Sequence, residues 1–391
     1  MRLTSTLDIL ETLVGFDTTS HRSNRELIDW VANRLDDVGA QIFIQSSPQG
    51  DKANLFATIG PLDQPGLMLS GHSDVVPVTG QIWRSDPFKL TERDGRLYGR
   101  GSADMKGFIA CVMSSLPHIT QARLKAPIHI ALSYNEETDM GGMKLLAEHL
   151  KQSPLKPLGC VIGEPTSMQV VVANKGAAIY RFRVRGFEVH SSLRDSGVSA
   201  VEVAAQIIVQ SQGIQQRMRS DLRHDGFEFP FSSIHVGQIS GGTAHNITAK
   251  DCDFLLEIRA LPGRSASQII QELRQWSRQH LLPTMQAISP TCDILIEEIT
   301  DTPGLDEEGN RHLARALLPL CACHQVGRVS FGTEGGILQQ AGVPTIICGP
   351  GQIQVAHQAD EYVELDQLNQ CLDFLQRLTT QLENSVEGLR G

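Results

Sequence analysis

Several signatures are missing from this chain, and each absence removes a class of function. Aromatic residues are scarce, 5% of 391 positions, so the core must be built mainly from aliphatic side chains. No apolar run approaches the roughly 20 residues that a membrane-spanning helix needs. The opening Met1-Arg2-Leu3-Thr4-Ser5 lacks the apolar stretch of a signal peptide. No Cys-x-x-Cys pair occurs among the eight cysteines, which speaks against a disulfide scaffold or a zinc ribbon. Cys321-x-Cys323-His324 is the one compact group of such residues and reads as packing at a helix end. Bases are outnumbered, 34 against 44 acids for a formal net charge of -10, and they are scattered. That excludes a basic nucleic-acid surface. GxGxxG, GxxxxGK[ST], GxSxG and HExxH are all absent, so dinucleotide binding, P-loop chemistry, the serine-hydrolase elbow and the helical zinc-protease site lose their main support. The expectation is a reduced, cytoplasmic protein with no nucleic-acid and no membrane partner.

What is present is ordinary globular material, 41% hydrophobic and 20% charged, in a length that suits two domains. Ser5-x-x-Asp8 and Ser23-x-x-Glu26 read as capping boxes ahead of helical apolar spacing. Strand-like runs at Asn54–Ile59, Gly66–Ser70, Ile128–Tyr134, Gly159–Ile162 and Pro344–Cys348 alternate with helical stretches at Met105–Leu116, Gly142–Leu150, Asn310–Leu318 and Leu365–Leu378. This alternation predicts an α/β domain around a sheet buried on both faces. Between residues 174 and 300 the order becomes β-α-β-β-α-β, a small α+β module of the split-βαβ, ferredoxin-like kind. The expected division is therefore 1–173 and 301–391 for the larger domain, interrupted by 174–300. Arg181, Arg183 and Arg185 alternate along the module's first strand and read as a solvated face.

Metal-type side chains follow the strand-like runs. His72 and Asp74 come after Gly66–Ser70, Glu136 and Glu137 after Ile128–Tyr134, Glu164 after Gly159–Ile162, and His357 after Pro344–Cys348. Asp104 stands in Gly99–Gly107, just ahead of a helix. Open α/β sheets place ligands outside the carboxyl ends of their strands, so these groups are expected at one edge. Two imidazoles and three carboxylates offer the N/O mixture that zinc takes. They are too few for two closed sites but enough for two open ones if a carboxylate is shared. Asp74 lies two residues beyond His72, on the same side of an extended backbone, and can accept the remaining imidazole N–H. Glu136 and Glu137 should diverge, so that one can ligate and the other serve as a general base.

His72-Ser73-Asp74-Val75-Val76-Pro77, the Gly99–Gly107 loop, Glu136-Glu137, Gly163-Glu164-Pro165 and His357 together resemble the M20 family of dizinc amidohydrolases and peptidases. The likeness spans essentially the whole chain. It implies a mixed-sheet catalytic domain interrupted by a lid domain that dimerises. It further implies two divalent ions, zinc or cobalt, on His72, Asp104, Glu137, Glu164 and His357, with Asp104 bridging. Glu136 is then the general base and Asp74 the orienting acid. Asn135 departs from the family, which often has Asp there.

Within the family, Leu97–Phe108, Ser330–Gly336, Cys348–Gly351 and His357–Tyr362 are similar to acetylornithine deacetylases. The substrate implied is an N-acyl amino acid, N-acetylornithine foremost, hydrolysed to ornithine and acetate in arginine biosynthesis. The alternatives are succinyl-diaminopimelate, acetylcitrulline or carboxypeptidase-like substrates. Arg259 resembles the family's carboxylate-binding arginine, and Asn246 a lid residue that contacts substrate. His190, in Gly186–Ser192, is similar to the lid histidine that reaches the partner subunit's site. Glu334 is expected to meet the substrate ammonium.

Overall fold

The computed structural model describes residues 2–321 and 325–389, so Cys323 and His324 lie outside the described residues. The chain divides into two compact units: Met1–Ala173 with Leu305–Arg328 and Thr333–Gly391, and Asn174–Gly304 with Val329–Gly332. The boundary expected at residue 300 falls after Gly304 because the strand Asp293–Thr302 stays paired to Gly176–Arg185 as far as Thr302. Val329–Gly332, expected in the larger domain, joins the smaller unit. There the Lys175 amide donates to Val329 O at 3.3 Å and the Asn174 side-chain amide to Phe331 O at 3.2 Å.

An eight-stranded mixed sheet organises the larger unit, in the order Gln41–Ser46, Ala53–Ile59, Ile128–Ser133, Leu67–His72, Gly159–Pro165, Thr345–Gly349, Val170–Asn174, Val326–Val329. The four central strands, from Ile128–Ser133 to Thr345–Gly349, run parallel. Every residue in them is buried, as continuous apolar runs under helices on both faces require. The helices supply apolar stripes at helical spacing: Leu27, Ile28, Val31 and Leu35 on Arg25–Asp36, and Leu368, Leu372, Leu375, Leu378 and Leu382 on Leu365–Asn384. A β-carbon on Gly163 would lie 1.9 Å from the Phe108 ring, so glycine lets the helix Gly107–Gln121 close onto the strand that carries Glu164. Two capping expectations fail. The first helix begins at Arg2, which puts Ser5 inside it, and the Ser23 hydroxyl donates to the Asp51 carbonyl while Asn24 takes the cap position.

In the smaller unit four antiparallel strands run in the order Ser233–Gly241, Asp251–Ala260, Gly176–Arg185, Asp293–Thr302. Helices Ala200–Ser220 and Ala266–Trp276 cover one face, each with a serine at its N-cap. Phe182 and Phe254 stack across the buried face with ring centroids 4.5 Å apart. On the open face Arg183 sits 3.5 Å from Asp253 and 3.3 Å from Glu297, and Arg185 3.8 Å from Asp251. Arg183 and Arg185 thus sit in a solvated ladder with cross-strand acids. Among the described residues no helix is long and apolar enough to cross a membrane.

Candidate active site

The four parallel strands bring their carboxyl ends to one edge of the larger sheet, each followed by polar side chains. His72 ends its strand, 1% exposed. Its Nε2 lies 2.9 Å from Asp104 Oδ1 and 3.5 Å from Glu164 Oε1. Asp104 stands in a tight turn ahead of the helix Gly107–Gln121, entered through Gly101 at φ +81. A lone Asp before a helix is ordinarily a cap, but this helix has no side-chain cap. The Asp104 carboxylate turns to the imidazoles, with Oδ2 3.2 Å from His357 Nε2. His357 Nε2 is also 2.9 Å from Glu137 Oε2. One buried carboxylate thus faces a different histidine with each oxygen. Donor atoms of His72, Glu136 and Glu164, and of His72, Asp104 and Glu137, gather within 4.8 Å of one another.

Asp74 meets the imidazole through its main chain and not through its carboxylate. His72 Nδ1 meets the Asp74 backbone carbonyl at 2.9 Å, while the carboxylate is 3.7 Å away. The expected side-chain partner is therefore displaced by the main chain. The carboxylate instead accepts the Glu136 amide at 3.1 Å, the Glu137 amide at 3.4 Å and the Ser20 hydroxyl at 2.7 Å. It holds the turn that presents both glutamates. Asn135, at φ +60, opens that turn, and its side-chain oxygen accepts from buried Lys52. Where relatives often place a charge, a neutral amide meets this lysine.

Negative charge is in excess here. Burial, with Asp104 adding, pushes Glu137 up to about 7 and Glu164 well above the carboxylate range, and burial with Glu164 and Glu137 adding does the same to Glu136. Hydrogen bonds to Asp104 and Glu137 push His357 up to about 10. Burial opposes charge on His72, yet Glu164 and Asp104 raise it well above an ordinary histidine. Asp104 is opposed by burial as well, and hydrogen bonds from His357 and His72 bring it below the usual range. Bound cations are the groups that relieve such crowding, and the N/O donors present fit zinc-type ions.

Glu334 is 1% exposed, accepts the Ser133 hydroxyl at 2.6 Å and is pushed up to about 7 by burial. The charges of His72 and Asp74 act on it, and it in turn raises Glu136 and Glu164, so it sits beside the metal-type cluster. His190, Asn246 and Arg259 belong to the smaller unit. His190 bridges Ile247, and the Ser191 amide donates to Asn246 O at 2.9 Å, so two distant segments meet there. His190 Nδ1 accepts the Ser192 amide at 3.2 Å, capping a short turn. Arg259 pairs with Glu257 at 2.6 Å beside Gly332. Sequence reasoning missed Ser20, Lys52, Gln81, Ser133 and the buried Arg100–Glu361 pair, although Arg100 and Glu361 lie inside quoted motifs. Arg100 carries a signal, a charge between two glycines, whereas Glu361 stands in a polar stretch that gives none.

Peptidase family M20/M25/M40 matches residues 68–381. The chain is 35% identical over 374 residues to the acetylornithine deacetylase of Myxococcus xanthus, covering 94% of this chain and 95% of that one. It is 32% identical over 378 residues to that of Buchnera aphidicola subsp. Acyrthosiphon pisum (strain Tuc7), covering 93% and 94%. Among solved structures it resembles the M20 family metallo-carboxypeptidase Sso-CP2 from Sulfolobus solfataricus (TM-score 0.75, 15% identity, 97% and 99% covered). It also resembles the Bacillus subtilis YXEP protein, a dinuclear metal-binding M20 peptidase (TM-score 0.65, 14% identity, 98% and 99% covered). At those identities the two structures speak to the fold.

Proposed function

The chain belongs to peptidase family M20/M25/M40 and is a metal-dependent amidohydrolase, and from that premise we propose that it deacetylates N-acetylornithine, giving ornithine and acetate in arginine biosynthesis. The observation that carries the chemistry is the Asp104 carboxylate, set between His72 and His357 with one oxygen toward each. The names of relatives that match nine-tenths of the chain support the substrate.

In this reading His72, Asp104, Glu137, Glu164 and His357 hold two divalent ions, with Asp104 shared. Zinc suits the donors, and cobalt is accepted by the same set. When bound, the ions supply Lewis-acid polarisation of the scissile carbonyl and a lowered pKa for the attacking water. Glu136 takes the proton of that water and returns it to the leaving amine. Its buried setting favours proton uptake. Asp74 holds the amides of both glutamates, which fixes where the base points. Arg259 receives the substrate carboxylate through its planar guanidinium, Asn246 contacts the substrate, and His190 donates to the developing oxyanion.

The protein is proposed to act as a cytoplasmic homodimer through its smaller unit. The edge strand Ser233–Gly241 has one unpaired side and exposed Ile239, and the helix Ala200–Ser220 exposes Val201 and Val209. Such an edge invites pairing with a second copy.

A panel of N-acetylornithine, N-succinyl-diaminopimelate, N-acetylcitrulline and dipeptides tests the substrate. The highest kcat/KM is expected for N-acetylornithine. A tenfold preference for any other member would replace this substrate while leaving the amidohydrolase reading intact.

A further inference from the structure

Two backbone segments carry His357 and Asp104, and a continuous chain of side chains joins them. The Gln81 Nε2–H donates to the His357 carbonyl at 2.8 Å. Gln81 Oε1 accepts from Arg100 Nη2 at 2.6 Å and from Trp83 Nε1 at 3.0 Å. Arg100 Nη1 donates to Glu361 Oε2 at 2.6 Å, and both of these side chains are 1% exposed. Glu361 Oε1 accepts the backbone amides of Ala103 at 3.0 Å and Asp104 at 3.1 Å. The guanidinium lies over the Trp83 ring, 5.1 Å from its centroid. Pairing of Tyr362–Glu364 with Arg96–Tyr98 sets Glu361 beside Gly99, whose amide donates to the Glu361 carbonyl at 3.0 Å.

Every link in this chain runs from donor to acceptor, and both ends terminate on main chain. His357 needs such a restraint, because it sits at φ +63, a conformation that side-chain-bearing residues keep only where surrounding contacts over-determine it. His72 is held quite differently, at the end of a buried strand with Nδ1 on the Asp74 carbonyl. The links reach it only indirectly, through Asp104, whose amide ends the chain and whose Oδ1 lies 2.9 Å from His72 Nε2, whereas Gln81 bonds the His357 main chain itself.

We infer that Gln81, backed by the Arg100–Glu361 pair, is a positioning residue that sets His357 against Asp104 and so governs the affinity of one of two divalent ions while leaving the other unchanged. The inference rests on the two-ion reading above. Substituting the partner that orients a ligand typically weakens metal binding 10–100-fold, roughly.

The informative variant is Gln81→Glu. It keeps an acceptor toward Arg100 and Trp83 but sets an acceptor against the His357 carbonyl, where the wild type donates. Gln81 is partly exposed, so the variant should fold, and thermal unfolding of the metal-stripped protein checks this. Added negative charge would by itself strengthen cation binding, so weakening runs against the charge effect. Chelator-stripped full-length protein is titrated with Zn²⁺ against a chromophoric competitor. Wild type is expected to take up two ions. Gln81→Glu should keep one affinity and lose about 10-fold or more in the other, the same step that His357→Ala abolishes. Two wild-type affinities in Gln81→Glu would overturn the positioning role. Equal weakening of both ions would overturn its restriction to the His357 side. A wild type that binds fewer than two ions would overturn the underlying two-ion reading instead.

Discussion

Breaking the Arg100–Glu361 pair should cost more from one side than from the other. The two groups meet at 2.6 Å with 1% of each side chain exposed, and removing one partner of so buried a pair costs about 3–5 kcal/mol. Burial already pushes Glu361 above the usual carboxylate range, more than Arg100 pulls it down. In Arg100→Met the stranded Glu361 can therefore escape by taking up a proton, which places that variant at the lower end, about 3 kcal/mol. In Glu361→Gln the stranded guanidinium cannot lose its proton, so the upper end, about 5 kcal/mol, is expected. For a unit of this size a kilocalorie is worth about 2 °C, so the melting temperature should fall by about 6–10 °C. The double variant Arg100→Met/Glu361→Gln should cost less than the two singles together by about 2–3 kcal/mol, since no charge is left unpaired. Urea unfolding of metal-stripped protein measures this. Trp276→Phe in the background confines tryptophan fluorescence to Trp30 and Trp83, both in the larger unit, which avoids mixing two transitions. Additive single costs, or a greater cost for Arg100→Met than for Glu361→Gln, would refute the reasoning.

Glu136→Gln should abolish turnover while bound metal, read by elemental analysis, stays at the wild-type level; loss of metal here and its retention in Glu137→Gln would reverse the two roles. Glu334, pushed from about 4.5 to about 7 by burial, makes the metal-stripped native state bind the extra proton between those values, so its contribution is fully present below pH about 4.5 and fades as pH rises to about 7, a change of roughly 3 kcal/mol. Glu334→Gln should flatten that part of the stability–pH curve in denaturant titrations, and an unchanged slope would disprove the assignment. His190→Ala should lower kcat by a factor on the order of 10²–10³. Mixing it with Glu136→Ala under subunit exchange should restore activity, because one site of each heterodimer keeps both residues; a mixture as inactive as its parents would show that His190 does not act across subunits.

What could be read from the sequence follows from how far apart the deciding residues lie. The four central strands are legible because a strand buried on both faces is a continuous apolar run, and the polar residue ending each run marks the sheet's working edge. The exposed edge strand Gln41–Ser46 has no such run, and its pairing to Ala53–Ile59 shows only in the structure. The local pattern Ser199-x-x-Glu202 does form a cap, the Ser199 hydroxyl accepting the Glu202 amide three residues on. It fails at Ser23, whose hydroxyl is claimed by Asp51, 28 residues away. The same distinction separates His72 and Asp74 from Glu334. The first two are neighbours in the chain, and their shared side follows from backbone periodicity. Glu334 stands in a glycine-rich stretch that looks exposed, and only its partner Ser133, 201 residues distant, reveals that it is buried. Arg100 and Glu361 are 261 residues apart, and Glu361 carries no local sign that it will be sealed from water. Local periodicity thus finds the groups that gather at the sheet edge. The groups that hold them in place are fixed by long-range closure of the fold, and so they emerge only from three-dimensional contacts.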